Sequence, residues 1–146
     1  GDTHVLTDIW SVHNYTQEKD KLIDELKITE GQEPYRNSRD KKYLAVYEGQ
    51  PYMLDEFGGI PWMAATDRNN SWGYGGMPKD EEAFYQRLEG QIDALIASKH
   101  VCGFCYTQLT DVEQEKNGVY YYDRRPKLDM KRIKAIFEKI PSRPAK

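Results

Sequence analysis

An acidic pair at the end of a short apolar run is the part of the sequence best suited to do chemistry. Asp55 and Glu56 follow a run that starts at Tyr52, and two glycines come shortly after them. The length of the run and its Pro and Gly boundaries favour a buried strand. Because side chains alternate along a strand, Glu56 is predicted to share a face with Tyr52 and Leu54, while Asp55 points the other way. A carboxylate at the carboxyl end of a strand lies where α/β proteins hold catalytic groups. The alternative is a polar strand end that leads into an ordinary surface loop, because strand ends are often acidic.

Alternating strand and helix patterns must position this acidic pair. β-Branched and aromatic residues predict strands, and apolar residues every three to four positions predict amphipathic helices. The order strand, helix, strand, helix, strand, helix predicts parallel strands with right-handed crossovers, an arrangement that a small doubly wound sheet would also satisfy. The predicted elements are a strand at 5–15, a helix at 16–27, the central strand at 51–57, a helix at 78–99, a strand at 101–109 and a last helix at 130–140.

Three short motifs are spaced along nearly the whole chain. They are SVHNY at 11–15, DEFGG at 55–59 and TQLTD at 107–111, the last followed by NG at 117–118 and YDR at 122–124. In their order and separations they resemble the carboxyl-terminal part of the catalytic barrel of glycoside hydrolase family 2, the β-galactosidase and β-glucuronidase family. The resemblance implies an α/β fold, a partial (β/α)8 TIM barrel comprising its last three parallel strands. It assigns residues 1–140 to that barrel and leaves 141–146 as a frayed tail.

The resemblance also implies a reaction. Retaining glycosidases use two carboxyl groups about 5 to 5.5 Å apart, one attacking the anomeric carbon and one protonating the leaving oxygen. The glutamate of the family's E-[FY]-G stretch is the nucleophile, which corresponds to Glu56. The family's acid/base glutamate belongs to an earlier strand, and Glu48, Glu113 and Glu115 do not match its position. Because a whole barrel needs about 250 residues, we expect a β-galactosidase-like fragment that holds half of the catalytic apparatus and is inactive alone.

Side chains expected to contact the sugar lie at the three strand ends and in one loop. Many family members carry a tryptophan where this chain has Thr107, so the aromatic platform is expected from elsewhere. The loop at 64–77, with glycines at 73, 75 and 76, has the composition of a substrate-facing lid, or of a plain loop packed on helices. Galactose, glucuronic acid and mannose all remain open. The predicted contacts are His13, Asn14, Tyr15, Trp62, Trp72, Thr107, Gln108 and Asp111.

Composition and charge limit the possible partners. The net charge of −3 and pI of about 5.7 disfavour a nucleic-acid surface, and the basic cluster at 124–127 is short. No apolar run approaches the roughly 20 residues of a membrane span. Neither a metal nor a cofactor is predicted, and the cellular location stays open. A carbohydrate and the rest of the parent barrel are therefore the expected partners.

The two cysteines form a single Cys-x-x-Cys pattern at positions 102 and 105. Redox pairs of this type begin helices, whereas Cys102 and Cys105 lie in a predicted strand, where their side chains would point to opposite faces. A zinc site would need a second pair of ligands. We therefore predict buried structural thiols.

Two other functional classes remain possible. The aromatic and amide side chains could hold a glycan without reaction, or the chain could be a structural domain with a degenerate site. Exposed strand edges would favour self-association of an isolated piece, plausibly as a dimer.

Overall fold

The computed structural model describes residues 4–36 and 45–139, and this part of the chain is an α/β unit. The tail predicted at 141–146 lies outside the described residues. A six-residue 3-10 helix at Ala65–Asn70 lies in the loop between the second strand and the second helix. The regular elements, in order, are β1 (Trp10–Asn14), α1 (Lys19–Glu25), β2 (Tyr52–Gly58), α2 (Glu81–Ala97), β3 (Val101–Thr107) and α3 (Met130–Phe137).

The three strands form one parallel sheet with β2 in the centre, in the order β1-β2-β3. This confirms the predicted alternation and the α/β class, and three parallel strands with three helices are compatible with part of a barrel. The elements are shorter than predicted. The first strand begins at Trp10 rather than at residue 5, and Val5 and Leu6 are 86% and 95% exposed. The second helix begins at Glu81 rather than at residue 78, because the Asp80 carboxylate caps it by accepting from the Ala83 N–H at 2.7 Å.

One face of the sheet carries the core, and the helices cover it. Alternate residues of β1 and β2 are buried on this face, and α2 buries the apolar stripe that the sequence predicts. The shared core includes Trp10, Val12, Tyr52, Leu54, Phe84, Leu88, Ile92 and Leu95. No helix among the residues described is both long and apolar enough to cross a bilayer.

A β-bulge in β2 corrects the predicted orientation of Glu56. Val12 of β1 pairs with Leu54, but the next residue, His13, pairs with Glu56, so one residue of β2 is skipped. Residues paired across a sheet share a face, and His13 faces away from Val12. Glu56 therefore lies on the face opposite Leu54, and Phe57 continues the buried face instead. The extra residue resets the alternation, as bulges do.

The prediction of buried cysteines is wrong. Cys102 and Cys105 are both exposed, and both are free thiols. They lie on β3, an edge strand of the sheet, at positions that no other element of the described residues buries.

Candidate active site

The Glu56 carboxylate lies near the carboxyl end of the central strand and is held through one of its oxygens. Glu56 Oε2 accepts a hydrogen bond from the Tyr15 hydroxyl at 2.5 Å and lies 3.0 Å from His13 Nδ1. The other ring nitrogen of His13 lies 3.7 Å from Asp55 Oδ1, so the imidazole stands between two carboxylates. The Glu56 side chain is 39% exposed. Its carboxylate is thus oriented by two neighbours and is still accessible.

Tyr15 is held in its protonated form. Burial raises the pKa of its hydroxyl well above the ordinary value of 10.0, and the hydrogen bond to Glu56 raises it further, while a hydrogen bond from Thr107 acts in the opposite direction. The phenol therefore donates to the carboxylate at neutral pH. Donation to an ionised acceptor is among the stronger hydrogen bonds.

Tyr15 and two aromatic residues of the loop after β2, Tyr74 and Trp72, form an aromatic wall. The Tyr15 ring stacks on Tyr74 with centroids 3.6 Å apart and planes 5° apart. Trp72 meets Tyr74 edge-on at 5.8 Å, and its own side chain is 49% exposed. The sequence places both Trp72 and Tyr74 in the predicted lid loop with the glycines at 73, 75 and 76, but only Trp72 is among the predicted sugar contacts.

The glycine pair after Glu56 allows these rings to close over the strand end. Gly58 and Gly59 have φ angles of 90° and 61°. A Cβ on Gly58 would lie 2.3 Å from the Tyr106 ring, and one on Gly59 would lie 2.4 Å from the ring of Tyr74. Backbone conformation and close approach both require glycine here.

Backbone hydrogen bonds join the loop after β3 to Trp72 of the aromatic wall. The Trp72 N–H donates to the carbonyl of Gln114 at 2.9 Å, and the Lys116 N–H donates to the carbonyl of Trp72 at 3.0 Å. Within the loop, Gln108 Nε2 donates to Asn117 Oδ1 at 2.8 Å, and Asn117 Nδ2 donates to Glu115 Oε1 at 2.9 Å. Thr107 lies at the site through its side-chain hydrogen bond with Tyr15, whereas the Gln108 amide is used inside the loop, on Asn117.

The structure corrects the predicted role of Asn14. It is 1% exposed and faces the helices, because it alternates with His13 along β1. Its Nδ2 donates to Glu25 Oε2 at 3.0 Å, and its Oδ1 accepts from the Thr16 N–H at 2.9 Å. Both polar ends are used inside the fold, so Asn14 does not reach the site.

Asp111 is also corrected, from a sugar contact to a buried ion pair. Its Oδ1 accepts from Lys127 Nζ at 2.5 Å, with side-chain exposures of 1% and 0%. The same oxygen accepts from the Gly118 N–H at 3.1 Å. The Lys127 ammonium also donates to the carbonyl of Trp62 at 2.7 Å. Burial lowers the pKa of Lys127, and Asp111 opposes that shift.

The remaining predicted platform, Trp62, lies against the helix layer. Its ring meets Phe84 of α2 at 6.0 Å. The structure therefore brings together Glu56, His13, Tyr15, Thr107 and Trp72, and it does not place Trp62 with them. Within residues 4–36 and 45–139, no three His, Cys, Asp or Glu side chains are grouped so that they could hold a metal ion.

Comparison with known proteins gives matches among solved structures only. No family model and no curated protein matches the chain. A β-galacturonidase of glycoside hydrolase family 2 from Eisenbergiella tayi superposes with a TM-score of 0.61 at 16% identity, over 95% of this chain and 25% of that one. A Ruminococcus gnavus β-glucuronidase gives 0.57 at 18% identity, over 90% and 22%. One from an uncultured Clostridium gives 0.53 at 18%, again over 90% and 22%.

The chain shares its fold with a segment of these glycosidases. The resemblance to glycoside hydrolase family 2 that the motifs indicate is thereby confirmed at the level of fold. The chain spans about a quarter or less of the length of the structures it matches.

Proposed function

We propose that this chain is part of a retaining β-glycosidase and supplies its nucleophile, Glu56. The sheet would form the sixth to eighth strands of a (β/α)8 barrel whose other strands lie outside these 146 residues. One observation carries the proposal. An accessible carboxylate lies near the carboxyl end of the central parallel strand, oriented by Tyr15 and His13 through a single oxygen. Barrel enzymes place their catalytic groups at this end of the strands.

The geometry suits a nucleophile that must stay ionised. Among the residues described, Tyr15 and His13 both contact Oε2, so we assign the attack to Oε1. In the first step Oε1 bonds to the anomeric carbon, and the bond to the leaving oxygen breaks as that oxygen takes a proton. In the second step water attacks the same carbon and gives a proton to the acid/base residue, and Glu56 leaves as a carboxylate. Tyr15 keeps its proton throughout, because burial and Glu56 both raise its pKa.

The proton for the leaving oxygen requires a second carboxyl group about 5 to 5.5 Å from Glu56. Asp55 is the carboxylate next to Glu56 in the sequence, but its side chain interacts with His13, and we do not assign it this role. We therefore propose that the acid/base residue comes from another strand of the same barrel, outside this chain.

The test is a variant and a chemical trap in the full-length protein. Glu56→Gln keeps the size of the side chain but removes its nucleophilic charge, so turnover of aryl β-glycosides should fall by a factor of at least about 1,000, in the range of a lost catalytic group. A 2-deoxy-2-fluoro glycosyl fluoride should leave a sugar on the peptide containing residues 51–62 in the wild type. The matched control, Glu48→Gln, changes an exposed glutamate just before β2 and should behave as wild type.

Two results would refute the assignment. One is normal hydrolysis by a folded Glu56→Gln variant. The other is a trapped sugar on a different carboxylate in an otherwise active protein.

A glycan-binding role without turnover is the second candidate. It is favoured by the exposed Trp72 beside the stacked tyrosines, since aromatic side chains with exposed faces suit sugar rings. Sugar binding measured by calorimetry, with no hydrolysis of aryl β-glycosides and no trapped adduct in the wild type, would support it over the enzyme.

A further inference from the structure

Asp55, the residue before the proposed nucleophile, contacts the same histidine as Glu56. Neighbouring residues of a regular strand point to opposite faces of the sheet. The bulge in β2 changes this, because Asp55 is its extra residue and β1 pairs only with the residues on either side of it. His13 Nδ1 lies 3.0 Å from Glu56 Oε2, and His13 Nε2 lies 3.7 Å from Asp55 Oδ1. The bulge thus places two consecutive carboxylates around one imidazole ring.

The oxygen of Asp55 that faces His13 is shielded from water. Asp55 Oδ1 is withdrawn from solvent, and the His13 side chain is only 27% exposed. Charge interactions are stronger at such a site than on the open surface. An ionised carboxylate only accepts hydrogen bonds, so the ring is attracted to both neighbours when each of its nitrogens presents an N–H. Asp55 on one side and Glu56 on the other therefore hold the ring in one orientation.

The orientation of His13 matters in the second step of the proposed reaction. When water attacks the anomeric carbon, the bond to Glu56 Oε1 breaks and its electron pair stays on the carboxylate. The returning negative charge is shared with Oε2, the oxygen that His13 and Tyr15 contact. An N–H already aimed at this oxygen stabilises the charge as it develops. Glu56 is thereby a better leaving group.

We propose that Asp55 is a positioning residue, which acts through His13 to speed the release of Glu56 from the glycosyl-enzyme. This inference rests on the proposed glycosidase function. Without the charge of Asp55, the His13 ring can turn about its side-chain bonds, and its N–H then leaves Glu56 Oε2 for part of the time. The first step depends less on this contact. There the same N–H also stabilises the free carboxylate before it attacks, so its loss has little net effect.

The experiment uses a 2,4-dinitrophenyl β-glycoside of the sugar that the full-length protein hydrolyses. This leaving group needs no proton, so the second step limits turnover. Asp55→Asn keeps the size of the side chain and removes its charge. Its steady-state kcat should fall about tenfold, near the lower end of what one charge contact at about 4 Å contributes. KM should fall in parallel, kcat/KM should stay within about twofold, and about one dinitrophenolate per site should appear in a burst.

A double-variant cycle shows whether Asp55 acts through His13. His13→Gln should slow the steady state at least as much as Asp55→Asn, and the double variant should be no slower than His13→Gln alone. Asp8→Asn is the matched control, because Asp8 is an exposed aspartate shortly before β1, and it should behave as wild type. If Asp55→Asn does not fold, Asp55→Ser removes the same charge with a smaller side chain and is interpreted in the same way.

An unchanged steady-state rate in the folded Asp55 variants would overturn the inference. So would equal falls in kcat and kcat/KM without a burst, because these indicate a generally distorted site. Additive losses in the double variant, or the same loss in Asp8→Asn, would also overturn it. None of these results touches the role of Glu56, whose failure would appear separately as turnover by Glu56→Gln.

Discussion

The buried Asp111–Lys127 ion pair should be the most sensitive polar interaction in the described fold. The Lys127 ammonium donates to Asp111 Oδ1 at 2.5 Å, to the carbonyl of Trp62 at 2.7 Å and to that of Lys116 at 3.3 Å. It thereby joins the loop after β2 to the loop after β3. Both side chains are withdrawn from water, at 1% and 0% exposure.

Lys127→Met removes the charge while keeping a long unbranched side chain. It leaves the Asp111 carboxylate buried, with a hydrogen bond from the Gly118 N–H. Breaking a buried pair from one side costs about 3 to 5 kcal/mol, because a charge is left uncompensated. Against a total stability of about 5 to 15 kcal/mol for a domain, this loss is about a fifth of the whole or more.

The double variant Lys127→Met/Asp111→Asn separates the pair's charge from its packing. The asparagine keeps an oxygen for the Gly118 N–H and carries no charge. Since no buried charge remains, the double variant should lose less stability than the sum of the losses in Lys127→Met and Asp111→Asn, with a coupling of about 1 to 3 kcal/mol.

Urea unfolding of the 146-residue chain, followed by tryptophan fluorescence, measures these differences through the shift of the midpoint. Lys131→Met, at an exposed position of α3, is the control and should change stability by less than about 0.5 kcal/mol. A loss below about 1 kcal/mol in Lys127→Met, or additive effects in the double variant, would refute the account of the pair.

Two further predictions concern the backbone and the alkaline pH range. Gly59→Ala should lower kcat/KM at least about tenfold in the full-length protein, because its Cβ would displace the rings of Tyr74 and Tyr15, and Tyr15 orients Glu56. Gly31→Ala is the control, because Gly31 has a similar φ of 77° but open space around the added Cβ. Equal losses of kcat/KM in the two variants would contradict the prediction. Burial raises the pKa of Tyr52 in the folded chain, so above pH 10 the unfolded chain loses this proton first and stability falls as pH rises. Tyr52→Phe should reduce that fall by up to about 1.4 kcal/mol per pH unit. It should cost little at pH 7, where the described residues give its hydroxyl no partner. Tyr122→Phe, at 72% exposure, is the control, and an identical alkaline slope in wild type and Tyr52→Phe would exclude the effect.

The order of elements was predictable because it depends on local patterns. Strand-forming runs and the apolar stripe of α2 are visible in the sequence, and alternation of strands with helices implies parallel pairing. The position of Glu56 at a strand's carboxyl end follows from the same information. The face of the sheet on which Glu56 lies could not be predicted in this way. The bulge between Leu54 and Phe57 results from the pairing of β2 with β1 and β3, and it is not visible in the local sequence pattern.

The errors at polar residues have a different cause. Asn14 and Asp111 look like site residues because they are polar and follow strands. Their partners, Glu25 and Lys127, lie 11 and 16 residues away, and only the folded chain shows that these pairs are buried. Motif spacing therefore locates the strand ends correctly but does not separate the side chains that face a substrate from those that hold the loops.

This distinction determines how variants at Asp111 should be interpreted. The loop that contains Asp111 also pairs with Trp72, so a change at Asp111 would move the aromatic wall. Activity would fall although Asp111 does not contact the sugar. A lost sugar contact would leave the urea midpoint unchanged, whereas a loosened loop lowers stability and activity in parallel. Measuring both on the same Asp111→Asn protein separates the two causes, and the burial of the carboxylate predicts the parallel loss.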